Sequence, residues 1–377
     1  MMDNAPRSSL ATMISKWRSV VPFSRMESST QCCDSCVQPS DSSWDDHWVE
    51  DRLLEGFQTC TYSMPSSTHL PEEGYGYLIA TLIRHHPPKR RKAVLHIHGW
   101  NEYFFQTHLA QFYEGLGYDF YAVDLHRYGR SLQVGELPGY MESVEDYFEE
   151  LDACVEVISQ DHDCVLLSGH STGGLTAAIY ASDRPKSFAG VILNAPWIDM
   201  QGSALFRALT PLIARGLSVT SPMMVLPASE NHFYVQSLHE SYYGEWDFNL
   251  ELKKVDSQPV RPGWIRAVVN GHDRVGDGLH IDCPVLVATS AQSSDVTHWC
   301  EEAASTDLAL DVERIAARVP MLGWHTTLVR IKGALHDVGL SREEVRERYF
   351  EEIRRWELAY VRSRRAQERY LKELEEI

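Results

Sequence analysis

The sequence has no apolar run close to the roughly 20 residues that a membrane-spanning helix needs, so no transmembrane segment is predicted. It also lacks an excess of positive charge, because 53 acidic residues oppose 35 Lys and Arg and give a formal charge of −18. General nucleic-acid binding needs a basic surface, and this composition argues against it. The N-terminal region has no continuous apolar core of a secretory signal, so we expect a cytoplasmic protein.

A second set of metal-binding cysteines is also missing. Cys32, Cys33 and Cys36 cluster near the N terminus, but no further ligand pair follows at the spacing of a zinc site. We therefore expect neither a metal nor another cofactor. The remaining cysteines are scattered, several of them in apolar surroundings, and are interpreted as buried free thiols in a reducing compartment.

Residues 1–45 are rich in serine and are predicted to form a disordered tail. Several apolar residues in this tail fall on one helical face, namely Leu10, Met13, Ile14, Trp17 and Val21. Lys16 and Arg18 lie beside that face, as in a membrane-surface helix or an organelle-targeting segment. We favour the disordered tail and keep peripheral membrane contact as the alternative.

From Gly74 onward, strand-like and helix-like segments alternate along the chain. Residues 93–100, 118–125 and 188–196 have the apolar runs of buried strands, whereas residues 140–160 have apolar side chains at helical spacing. This alternation predicts an α/β protein with a mostly parallel, doubly wound sheet and helices on both faces.

The alternation breaks between residues 197 and 279, where aromatic residues and prolines are frequent. Because this stretch lies between two clear strands, we predict a mostly helical cap inserted late in the chain; the alternative is an irregular part of the core. Residues 46–196 and 280–377 are then the first and second parts of the core. The second part is predicted to end in a long charged helix.

The sequence Gly169-His170-Ser171-Thr172-Gly173 has the G-x-S-x-G pattern and lies between a predicted strand and a predicted helix. At such an elbow the serine adopts strained dihedrals, and small neighbours prevent clashes. Its hydroxyl then lies at a helix N terminus, where the helix dipole and free N–H groups favour a developing oxyanion. We therefore predict Ser171 as a nucleophile rather than part of an ordinary glycine turn.

A serine nucleophile needs a base. His336 follows the last predicted strand, and functional groups of a doubly wound sheet gather at the carboxyl ends of its strands. The chain order serine, acid, histidine also agrees with this choice.

The acid should follow the strand at residues 283–290, and the candidates are Asp295, Asp307 and Asp311. Asp307 begins an apparent helix, where its other role would be an ordinary N-cap. Asp311 is expected inside that helix and is the weakest candidate. We favour Asp307 over Asp295.

Two backbone donors could stabilise the oxyanion. Trp100 follows Gly99 at the end of a predicted strand, so its N–H could point at the site, and Thr172 follows the nucleophile. The alternative role of Gly99 is simply to end the strand.

Together, the segments HGW, DLHRYGRS, GHSTGG and GALHDV occur in the order and spacing of a known family. The chain resembles the α/β-hydrolase fold, and within it the monoacylglycerol-lipase-like group of serine aminopeptidase-type hydrolases, over about residues 75–360. The resemblance implies a cap between residues 194 and 284, Ser171 as nucleophile, His336 as base, and Trp100 and Thr172 as oxyanion donors. The chain departs from the family at the acid, since the Gly-x-x-Asp expected after the strand is missing.

These patterns predict a serine hydrolase that cleaves carboxylic esters through a Ser-His-Asp triad and an acyl-enzyme. The aromatic residues of the cap suggest a lipophilic or aromatic small-molecule substrate. An acyltransferase, a lactonase or a lactone-forming cyclase would use the same triad. A non-catalytic ligand-binding protein on this fold is the alternative from another class.

Overall fold

A ten-stranded sheet organises the part of the chain that the structure, a computed structural model, describes. The described residues are 42–45, 47–65, 70, 73, 77–201, 216–227 and 232–366. They all belong to one compact unit, Pro39–Ile377. The strands are β1 (Ser43–Trp44), β2 (Val49–Glu50), β3 (Gln58–Met64), β4 (Leu78–Arg84), β5 (Lys92–Ile97), β6 (Asp119–Asp124), β7 (Cys164–His170), β8 (Gly190–Asn194), β9 (Val285–Ser290) and β10 (Thr326–Ile331).

The strand order is β1-β3-β4-β6-β5-β7-β8-β9-β10, and β2 pairs with β3 at one edge. The strands from β6 to β10 along this path are parallel, whereas β3, β4 and β6 pair antiparallel. The parallel strands β7 and β8 are buried throughout, which agrees with their nearly continuous apolar sequences. The predicted mostly parallel sheet is therefore present.

Helices cover both faces of this sheet. The α-helices that lie wholly within the described residues are α1 (Thr107–Gly115), α2 (Phe148–Ser159), α3 (Ser171–Asp183), α4 (Phe233–Leu238), α5 (Pro262–Asp277), α6 (Val312–Arg318) and α7 (Glu343–Trp356). A π-helical turn, Glu357–Arg362, continues α7, and short 3-10 turns lie at Gly129–Ser131, Val144–Tyr147, Val319–Met321 and Val338–Leu340.

Two apolar cores separate the helices into layers. One core contains buried residues of α2, α3 and α5, and the other contains buried residues of α1 and α7. Strand β5 contributes to both cores, with Leu95 on one side of the sheet and Val94 on the other. This alternation follows from the period of two along a strand.

The N-terminal boundary differs from the prediction. Ser43 and Trp44, which we assigned to the tail, form β1 and pair with Ser63 and Tyr62 of β3. The ordered core therefore begins before residue 46. Residues 1–41 of the predicted tail lie outside the described residues, and Cys32, Cys33 and Cys36 are among them.

The described part of the insertion at residues 197–279 adds no strand to the central sheet. It contains α4 and α5, and α5 packs against α3 of the core. The exact extent of a cap stays a prediction. Within the described residues, Cys60, Cys154, Cys164 and Cys283 are buried free thiols as expected, and Cys300 is half-buried.

No helix in the described ranges combines the length and the apolar character that crossing a bilayer requires.

Candidate active site

Ser171 lies at a sharp turn between β7 and α3. It is the first residue of α3, and its φ of 54° places it in the left-handed region, which is costly for a residue with a side chain. His170 before it is still extended. The chain thus passes from strand to helix in one step, and Ser171 is held at the N terminus of α3.

Close backbone contacts explain the glycines around Ser171. A Cβ atom on Gly173 would lie 2.1 Å from the carbonyl oxygen of His98 on the neighbouring strand end. A Cβ atom on Gly169 would lie 2.5 Å from the carbonyl oxygen of Gly173. Only glycine allows α3 to approach the sheet this closely.

His336 lies in the loop after β10, with its side chain against Ser171. Its Nε2 atom is 3.0 Å from Ser171 Oγ, and its Nδ1 atom is 2.9 Å from Asp307 Oδ2. Because a carboxylate only accepts, Nδ1–H donates to Asp307 and Nε2 is left to accept the Ser171 hydroxyl proton. Ser171, His336 and Asp307 are 8%, 3% and 0% exposed, so the three groups interact away from bulk water.

Asn194 fixes the turn that carries His336. Its side-chain amide donates to Asp337 Oδ1 at 2.6 Å and accepts from the N–H of Val338 at 3.1 Å. Asp337 Oδ1 also accepts from the N–H of Gly339 at 2.9 Å. The end of β8 therefore determines where the loop of His336 lies.

The structure separates the three candidate acids. Asp307 contacts His336, and its other oxygen accepts from the N–H groups of Ala309 and Leu310, both at 2.8 Å. Asp295 is exposed and has no such contact. The predicted helix start at Asp307 is wrong, because α6 begins at Val312 and Asp311 is its N-cap. Asp311 therefore lies at the N-terminal end of that helix and not inside it.

The two main-chain segments that carry the predicted oxyanion donors lie beside Ser171. Thr172 is the second residue of α3, and Trp100 follows Gly99. A Cβ atom on Gly99 would lie 3.1 Å from Ser171 Cβ, so this loop packs directly on the serine. The arrangement brings both main chains to the same side chain, and their role as donors stays a prediction.

Three tryptophan rings gather near the first turn of α3. The rings of Trp100 and Trp264 are 4.0 Å apart, and those of Trp197 and Trp264 are 5.7 Å apart. Trp264 lines the same small cavity as Thr172, and Met141 adds to its apolar wall. The indole N–H groups of Trp197 and Trp264 are buried without a hydrogen-bond partner.

Sequence reasoning missed a buried ion pair behind the serine. Lys253 Nζ is 2.9 Å from Glu102 Oε1, and the other oxygen of Glu102 accepts from the N–H of Gly99. Burial alone would raise the pKa of Glu102, but Lys253, His170 and the Gly99 N–H lower it below its usual value. Glu102 could have been noticed as an acid in a loop after a strand, whereas Lys253 has no local signal.

Two clusters of described residues bring potential metal ligands together. Glu102, His170 and Asp337 offer ligand atoms within 4.8 Å of one another. Glu102 is already paired with the Lys253 ammonium, which a metal ion would have to displace.

The second cluster, His85, His86 and Glu114, lies away from Ser171. Burial and the neighbouring charges of His85, Lys89 and Arg90 lower the pKa of His86. The same positive charges oppose a bound cation. Neither cluster therefore gives a reason to revise the expectation of a metal-free protein.

Comparison with known proteins identifies the class. The family model for serine aminopeptidase, S33, matches residues 88–338, which is more than half of the chain. The protein therefore belongs to this family of α/β-hydrolases, and it is a hydrolase. Phospholipase YtpA of Bacillus subtilis (strain 168) is 29% identical over 200 residues, which are 48% of this chain and 75% of that protein.

Solved structures share the fold at low sequence identity. Monoacylglycerol lipase of Paleococcus ferrophilus is 21% identical, with a TM-score of 0.50 over 70% of this chain and 92% of that one. A soluble variant of monoglyceride lipase from Saccharomyces cerevisiae is 17% identical, with a TM-score of 0.52 over 85% of this chain and 96% of that one. These similarities confirm the predicted α/β-hydrolase fold.

Proposed function

We propose that the protein is a serine hydrolase that cleaves carboxylic esters of apolar compounds. The observation that carries this proposal is the buried chain of hydrogen bonds from Ser171 Oγ to His336 Nε2, and from His336 Nδ1 to Asp307, at 3.0 and 2.9 Å. A serine at a strand-to-helix elbow, a histidine in the right tautomer and a buried carboxylate are the parts of acyl transfer.

In the first half of the reaction, His336 Nε2 takes the proton of Ser171 as Oγ attacks the ester carbonyl carbon. The N–H groups of Trp100 and Thr172 donate to the resulting oxyanion. When the intermediate collapses, the bond to the alcohol breaks and His336 returns the proton to the leaving oxygen. The acyl group is then bound to Ser171.

In the second half, a water molecule gives its proton to His336 Nε2 and attacks the acyl carbon. Collapse of this second intermediate breaks the bond to Ser171 Oγ, which regains the proton, and releases the carboxylic acid. Asp307 holds the imidazole ring and stabilises its charged form in both halves.

Aromatic rings near the start of α3 and beside His336 support an apolar substrate. The rings of Trp100, Trp197 and Trp264 lie together, and the Tyr234 ring is 5.3 Å from the ring of His336. Relatives named as a phospholipase and as monoacylglycerol lipases agree with an ester of a lipophilic acid.

The family name also suggests an aminopeptidase, which needs a carboxylate to hold the substrate ammonium. Glu102 and Asp337 are buried near His170, but Glu102 is paired with Lys253 and Asp337 accepts from Asn194. Glu240 and Glu245, in the insertion, are exposed. The engaged carboxylates favour an ester over a peptide N terminus.

The test is labelling of the purified full-length protein with a fluorophosphonate probe, beside Ser171→Ala. A panel of p-nitrophenyl esters of increasing acyl length, with and without an added alcohol, is run on the same samples. We expect labelling and hydrolysis that are lost in Ser171→Ala. Acyl esters of the added alcohol would identify a transferase. A folded wild-type protein that does not label would point to a ligand-binding protein instead.

A further inference from the structure

The loop after β5 is bound along its length by one segment of the insertion. We call Asn249–Ser257 the clamp segment. The Trp100 indole N–H donates to Ser257 Oγ at 3.1 Å, and the N–H of Asn249 donates to the Tyr103 hydroxyl at 2.8 Å. The two residues between them also contact the clamp segment, Asn101 through its side-chain amide and Glu102 through its carboxylate.

Asn101 binds the main chain of the clamp segment twice. Its side-chain NH2 donates to the carbonyl of Lys254 at 2.7 Å, and its side-chain oxygen accepts from the N–H of Lys254 at 3.1 Å. Asn101 itself has a φ of 54°, in the left-handed region that most side chains avoid. Asparagine enters this region more readily than most residues do, and its two hydrogen bonds to Lys254 hold the loop in this turn.

Glu102 and Lys253 form the buried link between the two segments. Their exposed fractions are 0% and 2%, and Lys253 Nζ lies 2.9 Å from Glu102 Oε1. Glu102 Oε2 accepts from the N–H of Gly99 at 2.9 Å. The ammonium thus reaches the His98–Gly99 peptide through a single carboxylate, and the next peptide carries the Trp100 N–H.

The fit around Gly99 transmits any displacement of Glu102 to the serine. A Cβ atom on Gly99 would lie 3.0 Å from His170, 3.1 Å from Ser171 and 3.2 Å from Glu102 Oε2. A carboxylate that moves would therefore move Gly99, whose carbonyl group forms the peptide bond with the Trp100 nitrogen. Hydrogen-bond donors for an oxyanion act only when they are held in place before the reaction.

We propose that Lys253 is a positioning residue, which holds the Trp100 N–H toward the oxyanion through Glu102 and Gly99. This inference rests on the proposed function. Lys253 does not itself meet the substrate, because its ammonium is buried against Glu102. Through Lys253, the insertion therefore takes part in assembling the site.

The primary test is Lys253→Met in the full-length protein, with steady-state kinetics on the best p-nitrophenyl ester. Loss of a whole oxyanion donor lowers kcat by about 100- to 1000-fold, so a misplaced donor should lower it by roughly 10- to 100-fold with KM little changed. Affinity for a boronic acid inhibitor, which forms a tetrahedral adduct on the serine, should fall in parallel.

Lys92→Met is the matched control. Lys92 Nζ is 3.5 Å from the buried Glu357, but the pair lies at the start of β5, at the other end of the strand from Gly99. We expect its kcat and inhibitor affinity to match the wild type. A folded Lys253→Met protein with wild-type kcat and inhibitor affinity would overturn the proposal.

A second variant covers the case in which Lys253→Met does not fold because Glu102 is left buried and charged. Lys253→Met with Glu102→Gln removes both charges, and the glutamine oxygen can still accept from Gly99. A low kcat in this folded double variant supports the proposal, and a wild-type kcat contradicts it. An inactive, unlabelled wild-type protein would instead reject the proposed function.

Discussion

Asp307 holds His336 with one carboxylate oxygen while its other oxygen is bound to the main chain. Oδ2 is 2.9 Å from His336 Nδ1, and Oδ1 accepts from the N–H groups of Ala309 and Leu310 at 2.8 Å each. The carboxylate therefore cannot rotate without losing hydrogen bonds, and the imidazole faces Ser171 in a fixed orientation.

Asp307→Asn should preserve the fold and nearly abolish turnover. The amide oxygen can keep both main-chain hydrogen bonds, but the amide NH2 then faces His336 Nδ1 and favours the wrong tautomer. We expect kcat to fall by about 10,000-fold, as a triad aspartate does when it becomes an amide. Circular dichroism verifies the fold, and stopped-flow hydrolysis measures the rate.

Asp295→Asn is the control for this prediction, since Asp295 is exposed. Its activity should equal that of the wild type. A large loss in Asp295→Asn together with an active Asp307→Asn protein would show that the acid has been assigned to the wrong residue.

Gly173→Ala should destabilise the protein strongly. The added methyl group would lie 2.1 Å from the His98 carbonyl oxygen, which belongs to the backbone and cannot turn away. We expect a loss of at least about 2 kcal/mol in the free energy of unfolding, measured by urea titration. Gly115→Ala, at the end of α1 with no atom within 4 Å of the added Cβ, should leave stability unchanged or raised. Equal stability of both variants would contradict the close approach of α3 to the sheet.

Mild acid should destabilise the fold through buried histidines. Burial lowers the pKa of His96 and of His272 to about 4. The pKa of a histidine in the unfolded chain is about 6.5. Between about pH 6.5 and 4 the unfolded chain therefore binds protons that these two histidines do not bind in the folded protein. Stability therefore falls as the pH falls through this window, by on the order of 2 kcal/mol per histidine at pH 5.

His96→Asn tests this contribution, because an amide can keep the contact with Ser168 Oγ and does not titrate. The free energy of unfolding, measured by urea titration at pH 7 and pH 5, should change less in this variant than in the wild type. His298→Asn, at an exposed histidine, should show the wild-type change. The same pH dependence in all three proteins would argue against a buried, neutral His96.

Trp264→Leu should alter substrate preference by widening the cavity beside Thr172. We expect the preferred p-nitrophenyl ester to become longer, with a loss of stability of about 2–5 kcal/mol that is usual for a truncated core side chain. Trp356→Leu is an equal truncation of a buried tryptophan in α7. Trp356→Leu should lower the free energy of unfolding by a similar amount without changing the preferred acyl length. A change of preferred acyl length in both variants would show that it does not depend on the cavity beside Thr172.

The sequence predicted where Ser171 and His336 lie because their signals are local. Each follows a strand, and the glycines around Ser171 indicate the close approach of α3 to the sheet. The start of α6 was predicted wrongly for a related reason. Asp307 binds N–H groups two and three residues ahead, as an N-cap does, so residue type alone does not separate it from Asp311.

Lys253 was outside the reach of local patterns. It is 151 residues from Glu102 in the sequence. Its neighbours in the sequence are charged, so the sequence predicts an exposed lysine. Only the folded chain shows that its ammonium is buried. The short strands β1 and β2 were missed because two residues are too few for a period-two pattern.

The contacts between Trp100–Tyr103 and the clamp segment also determine which parts of the chain must be replaced together in a chimera. Four residues in a row on one side are matched to Asn249, Lys253, Lys254 and Ser257 on the other. A chimera that imports an insertion from a relative would separate these partners and leave Glu102 buried without its cation. Transplanting substrate preference onto this scaffold therefore requires both segments to be moved together.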